Sequence, residues 1–257
     1  MKVVILAGGF GTRISEESQI IPKPMIEIGG RPILWHIMKE YSHFGHKEFI
    51  ICAGYKQHVI KKYFAEYALY NSDITFEFRG DNKIKVHSNF SEDWKVTIID
   101  TGYDTLTGGR VKKIQPYIDE ENFLLTYGDG LSDINIEELI KFHKAHGKIC
   151  TITAVRPESR FGYIDFENGS NQVRAFREKS KQDVGYINAG YMVLSAKVFD
   201  YIEGNFSFEQ EPMKKLAAAG EIMAYRHEGF WQCMDTLREK NKLEELWQHG
   251  APWKLWS

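Results

Sequence analysis

The chain has too few cysteines, and too widely spaced, to build a metal knuckle or a disulfide framework: Cys52, Cys150 and Cys233 stand far apart with no C-x-x-C pair. Each sits among apolar neighbours, so small buried thiols in a reducing compartment are expected. No apolar run is long enough for a membrane span, and the first residues read as a strand rather than a leader. Neither a membrane partner nor a signal peptide is therefore expected, and the expected location is cytoplasmic. An excess of one charge is missing too. The 33 Lys and Arg against 35 Asp and Glu leave a net charge of -2, which offers no footprint for a nucleic-acid polymer. Any anion binding has to come from a local group of cations. No Ser-His-Asp or Cys-His arrangement is legible, and the nine histidines, scattered mainly through helical and polar segments, read as surface groups.

What is present is a soluble globular composition, 43% hydrophobic and 26% charged. Strand and helix patterns alternate from the first residues, which predicts an α/β protein: a Rossmann-like, mainly parallel but mixed central sheet flanked by helices. Strands are expected at residues 2–6, 49–53, 75–79, 96–100, 123–127 and 149–155, and helices near 33–41, 57–67, 106–117 and 135–146. A β-rich region follows at 163–167, 173–179 and 187–194. Helices near 208–219 and 236–248 then flank a strand at 222–226. The stretch from Asp81 to Asp93 reads as a polar insert. No linker or repeat interrupts residues 1–257, so one unit is expected.

The richest segment is Leu6-Ala7-Gly8-Gly9-Phe10-Gly11-Thr12-Arg13, followed by Pro22-Lys23-Pro24. Glycines after a buried strand let the backbone turn sharply and bring bare N–H groups against an anion. Thr12 adds a hydroxyl, Arg13 a planar fork suited to phosphate, and Lys23 a point charge between two prolines. The loop is not a Walker A motif. From Gly9 it reads Gly-Phe-Gly-Thr-Arg-Ile, which puts Ile14 where a dinucleotide fingerprint wants glycine.

In an open parallel sheet, ligands collect beyond the carboxyl ends of the strands, and Asp129 in Tyr127-Gly128-Asp129-Gly130 lies at one such end. It reads either as a hard ligand for Mg2+ carrying a triphosphate or as a turn-forming Asp between glycines. Asp235 reads either as a second ligand or as a helix cap, since Thr236 with Glu239 fits a capping box. Two such carboxylates can complete a divalent site with phosphates and water. A phosphoryl or nucleotidyl transfer needs chiefly positioning and charge stabilisation, for which glycine loop, Arg, Lys and metal suffice.

These segments resemble the sugar-nucleotide pyrophosphorylases, nucleotidyltransferases that join a nucleoside triphosphate to a sugar 1-phosphate. The likeness extends over Gly29 to Met38, Thr107 to Arg110, Tyr127 to Gly130, Phe161 to Tyr163, Phe176 to Lys179, Ile187 to Gly190 and Trp231 to Asp235. It implies a nucleotide-binding half at about 1–130 and a sugar-binding and oligomerisation half at about 131–257. It further implies transfer of a cytidylyl group from CTP to α-D-glucose 1-phosphate with release of pyrophosphate, for dideoxy-sugar synthesis in bacterial surface polysaccharide. Mg2+ as cofactor and a homo-oligomer, specifically a hexamer, are also implied. By the same resemblance Leu6, Ala7, Gly8, Gly9, Phe10, Gly11, Thr12, Arg13 and Gly128 surround the nucleotide, with Lys23 beside the reacting phosphates. Asp129 and Asp235 become the metal pair, Lys179 meets the sugar phosphate, and Gly162, Glu178 and Asn188 line the hexose site.

The related uridylyl and thymidylyl enzymes carry a glutamine segment that reads the base; here Thr105, Thr107 and Arg110 stand in that region. Cytosine presents acceptors at O2 and N3 that a guanidinium satisfies, whereas uracil N3 carries a hydrogen. Arg110 is thus either the base reader or a helix-surface arginine. Two other classes remain in view, a nucleotide-sugar sensor without catalysis and a dinucleotide-dependent hydride-transfer enzyme. Retention of Asp129, Asp235 and Lys23 argues against the first and the failed fingerprint against the second.

Overall fold

A run of five β-branched or small apolar residues with no polar alternation forms β1 (Val3–Ala7), buried along its whole length. Only a central strand covered on both faces tolerates such a run. The computed structural model describes residues 1–14, 20–157, 163–166, 173–177 and 185–256, the ranges 163–166 and 173–177 as backbone only. A 3-10 turn at Lys23–Met25 leads into the two-residue strands β2 (Glu27–Ile28) and β3 (Arg31–Pro32) and then α1 (Ile33–His43). Next come β4 (Glu48–Ala53), α2 (Gln57–Tyr70), β5 (Ser72–Glu77), β6 (Lys83–Asn89), β7 (Lys95–Asp100) and α3 (Thr107–Lys113). The chain continues through β8 (Asn122–Tyr127), β9 (Gly130–Ser132), α4 (Ile136–His146), β10 (Cys150–Val155), β11 (Tyr163–Phe166), β12 (Val173–Arg177) and β13 (Ile187–Ser195). It closes with α5 (Glu211–Ala218), β14 (Ile222–Arg226), β15 (Trp231–Cys233) and α6 (Leu237–Gln248).

Seven of these strands form one mixed sheet in the order β14-β10-β13-β8-β1-β4-β7. Strand β13 runs antiparallel to both of its neighbours, while β8, β1, β4 and β7 are mutually parallel. Alternate side chains of β1 sort the interior into two layers. Val3, Ile5 and Ala7 join Ile33, Leu34, Ile37 and Met38 of α1, Leu139 of α4 and Leu243 of α6. Val4 and Leu6 meet Val111 of α3 and Leu216 of α5 on the other face. The carboxyl ends of β1, β4, β7 and β8 therefore open side by side, which fixes where a ligand can sit.

The local structure departs from the sequence expectation in three places. The segment read as a polar insert supplies β6, which pairs with β5 in an antiparallel hairpin with Phe76 opposite Ile84 and Ile74 opposite Val86. The expected helix 106–117 stops at Lys113, and a separate 3-10 turn carries Gln115–Tyr117, because Pro116 has no N–H to continue the ladder. Not all histidines are surface groups: His36 and His143 are buried. Trp253 is fully buried, and the rings of Trp247, Trp253 and Trp256 all pack on His36 of α1, so these tryptophans cover a local patch.

His36 is held in its neutral form by its neighbours. Its Nε2–H donates to the Ile28 carbonyl at 2.8 Å, and its Nδ1 accepts from Trp253 Nε1 at 3.4 Å. A second proton at Nδ1 would face an N–H. Burial lowers the pKa of both His36 and His143 to about 4. A pKa depressed below the unfolded value of about 6.5 means the unfolded chain binds more protons in between. The histidine contribution is complete above pH 6.5 and is lost as pH falls towards 4, at about 1.4 kcal/mol per pH unit for each fully buried ring. Urea midpoints should accordingly drop between pH 7.5 and pH 5, and His36→Asn should flatten that slope.

Candidate active site

The glycine segment leaves the end of β1 and folds over it. Gly11 has φ +65°, a left-handed conformation that a side chain disfavours. Gly8 lies directly against the Arg110 guanidinium, so that any Cβ there would collide with it. Leu6 to Arg13, Lys23, Pro24, Asp104 to Thr107, Arg110, Tyr127 to Asp129 and Ser207 enclose a cleft of about 380 Å³. That is a common size for a small-molecule site. Thus Leu6, Ala7, Gly8, Gly9, Phe10, Gly11, Thr12, Arg13, Lys23, Thr105, Arg110, Gly128 and Asp129, expected from the sequence around one nucleotide, share one cavity.

Asp235 reaches the same place through a contact no local pattern announces. Strand β15 pairs antiparallel with β9, placing Cys233 opposite Gly130, and Met234 N–H donates to the Asp129 carbonyl at 2.8 Å. The residues flanking that ladder, Asp129 and Asp235, thereby end up side by side. Asp235 is not the cap of α6. Thr236 is, with its side chain accepting from Glu239 N–H while the Glu239 carboxylate accepts from the Asp235 and Thr236 N–H groups. The capping box thus leaves the Asp235 carboxylate to pair with two residues that line the cleft, Arg13 and Lys23.

Lys23 stands between the two acids. Its Nζ donates to Asp129 Oδ2 at 2.6 Å and to Asp235 Oδ1 at 2.5 Å, and Arg13 pairs with the other oxygen of Asp235. The lysine is 8% exposed and set in the 3-10 turn after Pro22, so it is fixed rather than mobile. Burial disfavours its charge, but Asp129 and then Asp235 more than offset that and hold its pKa above 10.5. It is a permanent cation at neutral pH. Burial, with Glu239, Asp235 and Asp129 around it, pushes the nearby Cys233 thiol up to about 12, so it is protonated at neutral pH.

Arg110 is 4% exposed and not a helix-surface residue. Its Nη1 donates to Thr101 Oγ1 at 2.6 Å, Gly102 O at 2.9 Å and Ala53 O at 3.3 Å, and its Nη2 to Gly8 O at 2.8 Å and Tyr103 O at 3.4 Å. Both terminal nitrogens are engaged with the protein's own oxygens. Sequence reasoning passed over Glu209, which sits behind the lining and accepts from two of its residues, Thr107 Oγ1 at 2.7 Å and the Tyr127 hydroxyl. The segment at 205–209 carries no motif, and only its packing on α3 reveals it. Asn188, the second residue of β13, accepts from Gly190 N–H at 2.9 Å and lies outside this cleft's lining. Gly162, Glu178 and Lys179 lie outside the described residues.

A mixed sheet with a glycine loop, two cations and two converging carboxylates at its carboxyl ends is a site for charged phosphate chemistry. The nucleotidyl transferase family model matches residues 2–236, and the chain belongs to that family. Its relatives narrow the comparison. It is 56% identical to glucose-1-phosphate cytidylyltransferase of Salmonella typhi and 46% identical to a probable glucose-1-phosphate cytidylyltransferase of Bacillus subtilis, each aligned over 100% of both chains. Among solved structures it is similar to HddC from Yersinia pseudotuberculosis, with TM-score 0.69 and 26% identity over 96% of this chain and 99% of that one.

The cap that sets Asp235 gives a test that separates stability from chemistry. Thr236→Ala should cost about 1 kcal/mol in urea unfolding. Because the Glu239 carboxylate still accepts from the Asp235 N–H, the folded variant should keep most of its turnover.

Proposed function

We propose that this chain transfers a cytidylyl group from CTP to α-D-glucose 1-phosphate, giving CDP-glucose and pyrophosphate. The observation that carries the reading is the cleft itself, lined by the glycine loop, Arg13, Lys23 and Asp129 with Asp235 ion-paired to both cations, in a chain 56% identical throughout to a cytidylyltransferase. A phosphate oxygen of the sugar attacks the α-phosphorus in line. A new P–O bond forms, the α–β bridge breaks, and pyrophosphate leaves with the electron pair. The nucleophile is already ionised at neutral pH, so no protein base is required and the absence of a histidine at the site is no obstacle. Arg13 and Lys23 offset charge on the transferring and leaving phosphates from positions set before the ligand arrives.

Asp129 and Asp235 fit Mg2+ by their chemistry: two carboxylates supply hard oxygens, and phosphates and water complete the set that Mg2+ takes. Among the described residues no group of three or more His, Cys, Asp or Glu side chains is placed to hold an ion. Because Mg2+ usually keeps waters and takes one or two carboxylates plus substrate phosphates, the metal is expected to arrive with the triphosphate. When bound it supplies a further positive charge against the phosphates. Lys179 is proposed for the sugar phosphate, and Gly162, Glu178 and Asn188 for the hexose.

The protein is further proposed to work as a cytoplasmic homo-oligomer, with the hexamer that the resemblance implies. Among the described residues no helix is long and apolar enough to cross a membrane. The β5–β6 hairpin displays Phe76, Ile84 and Val86, 48%, 59% and 54% exposed, on one face. A second copy of this chain is the proposed cover for that apolar row.

Pyrophosphate release measured with each nucleoside triphosphate against a panel of sugar 1-phosphates, with and without Mg2+, tests the reaction. The expected result is turnover with CTP and glucose 1-phosphate that depends on the metal; turnover confined to another pair would refute it. Asp129→Asn should retain the fold and lose roughly 100-fold or more in turnover. Phe76→Ser with Ile84→Ser should yield a smaller particle in sedimentation velocity, and an unchanged particle would remove the hairpin from the interface.

A further inference from the structure

We infer that Glu40 of α1 is a positioning residue for Asp129 and works as a neutral carboxylic acid: its O–H reaches Tyr191, the Tyr191 hydroxyl reaches Gly130 O, and together they hold the edge of β9 that faces away from β15. This rests on the proposed reading of Asp129 and Asp235 as the Mg2+ pair. Successive residues of a strand turn their N–H and C=O groups to opposite edges. Asp129 O accepts from Met234 N–H at 2.8 Å and Asp133 N–H donates to Phe230 O at 3.2 Å, so both face the β15 side. Gly130 O and Ser132 N–H point the other way, into the core, and two side chains meet them there. The Tyr191 hydroxyl lies 3.0 Å from Gly130 O, and Ser132 N–H donates to Glu40 Oε1 at 3.2 Å. Glu40 Oε2 and the Tyr191 hydroxyl are 2.6 Å apart, which closes the clamp. Gly130 directly follows Asp129, so the chain at the acid is held from both edges, by β15 on one and by this pair on the other.

Counting hydrogens decides the charge. Glu40 and Tyr191 are both buried, and Tyr191 belongs to the apolar layer of α1. A phenol carries one hydrogen. With Glu40 ionised, that hydrogen would go to the carboxylate, leaving Gly130 O without its Tyr191 donor and a charge in an apolar setting. With the proton on Oε2 all of these groups are paired: Glu40 donates to Tyr191, Tyr191 to Gly130 O, and Oε1 accepts from Ser132 N–H. The titratable groups around Glu40 among the described residues are Tyr191 of β13, Asp133 after β9 and Tyr41 of α1 itself, none of them a cation. Asp133 is engaged with His227 at 2.9 Å and with Phe230 N–H at 2.7 Å, and it adds a like charge. Burial, with Asp133 adding to it, holds the Glu40 carboxyl well above the ordinary carboxylate range.

Glu40→Gln, Glu40→Leu and Tyr191→Phe in the full chain test both the charge and the positioning. Gln keeps an acceptor for Ser132 N–H and a donor for Tyr191, so it should retain turnover and Mg2+ requirement within about twofold. It should also lack a protonated-carboxyl C=O band that the wild type shows in the infrared at neutral pH. A folded-state pKa above the unfolded value of about 4.5 makes the Glu40 contribution complete below that pH and lost as pH rises through the folded value. The urea midpoint of Glu40→Gln should therefore gain on the wild type as pH rises from about 5 to about 8, a difference in which the histidines cancel. Glu40→Leu should displace the Asp129 and Gly130 amide resonances, which Gln leaves in place. At saturating CTP it should lower kcat and raise the half-saturating Mg2+ concentration by about tenfold each. If Leu does not fold, Tyr191→Phe decides, with the same resonances displaced and about a threefold change in each constant. A Gln variant as impaired as Leu, or a wild type without the carboxyl band, would overturn the neutral acid. Resonances and Mg2+ requirement unmoved in the folded Leu or Phe variant would overturn the positioning role, because a merely structural residue predicts that result. A wild type without CTP turnover sinks the reading of the site, while the band, the midpoints and the resonances still decide Glu40.

Discussion

The whole site depends on a six-residue ladder. Strands β9 and β15 are three residues each, yet their pairing is what draws Asp129, from the middle of the chain, beside Asp235, near its end. Two carboxylates at that separation repel unless something stands between them, and Lys23 does. The cation cannot swing away cheaply, because Pro22 and Pro24 bracket it in a tight turn and the cleft wall covers its stem. Ladder, turn and ion pairs form one mutually dependent unit: loosen the pairing and an acid loses its partner, while removal of the lysine leaves two half-buried charges facing one another.

This charge arrangement is suited to exchange. In the ligand-free protein Asp129 and Asp235 are balanced by Lys23 and Arg13, two charges of each sign. In the proposed reaction a polyphosphate with its counter-ion would bring charges of both signs and take over each partner in turn: phosphate oxygens for Lys23 and Arg13, the cation for Asp129 and Asp235. The backbone elements beneath need not move for this to happen. They are anchored by two buried layers on either face of the sheet and by the Thr236–Glu239 capping box. On the proposed reading, binding would cost mainly side-chain rearrangement.

Much of the architecture was legible in one dimension. The unbroken apolar runs at 3–7 and 49–53 announce parallel strands buried on both faces, and helical spacing from Ile33 to Tyr41 announces α1. The exposed hairpin was not legible, because Lys83, Lys85 and His87 alternate with the apolar residues of β6 and mask a strand whose apolar face turns outward instead of inward. Buried His36 escaped for a related reason: its polarity is cancelled by one carbonyl and one indole N–H, contributed by β2 and by the chain after α6.

By itself the sequence determined the chemistry that is concentrated locally: a glycine loop after a buried strand, a proline-bracketed lysine, and the residue types from which a phosphate site is made. Adjacent residues share a neighbourhood whatever the fold, so spacing alone announces them. Tertiary structure decided everything that depends on which distant segments meet. It made Asp235 a partner of Lys23 rather than a cap, and it put the Arg110 guanidinium under the glycine loop against the ends of three strands. It also tied Glu209 to Thr107 and Tyr127 of the cleft lining. Those roles arise from pairing and packing across roughly a hundred residues or more, for which the chain carries no local signal.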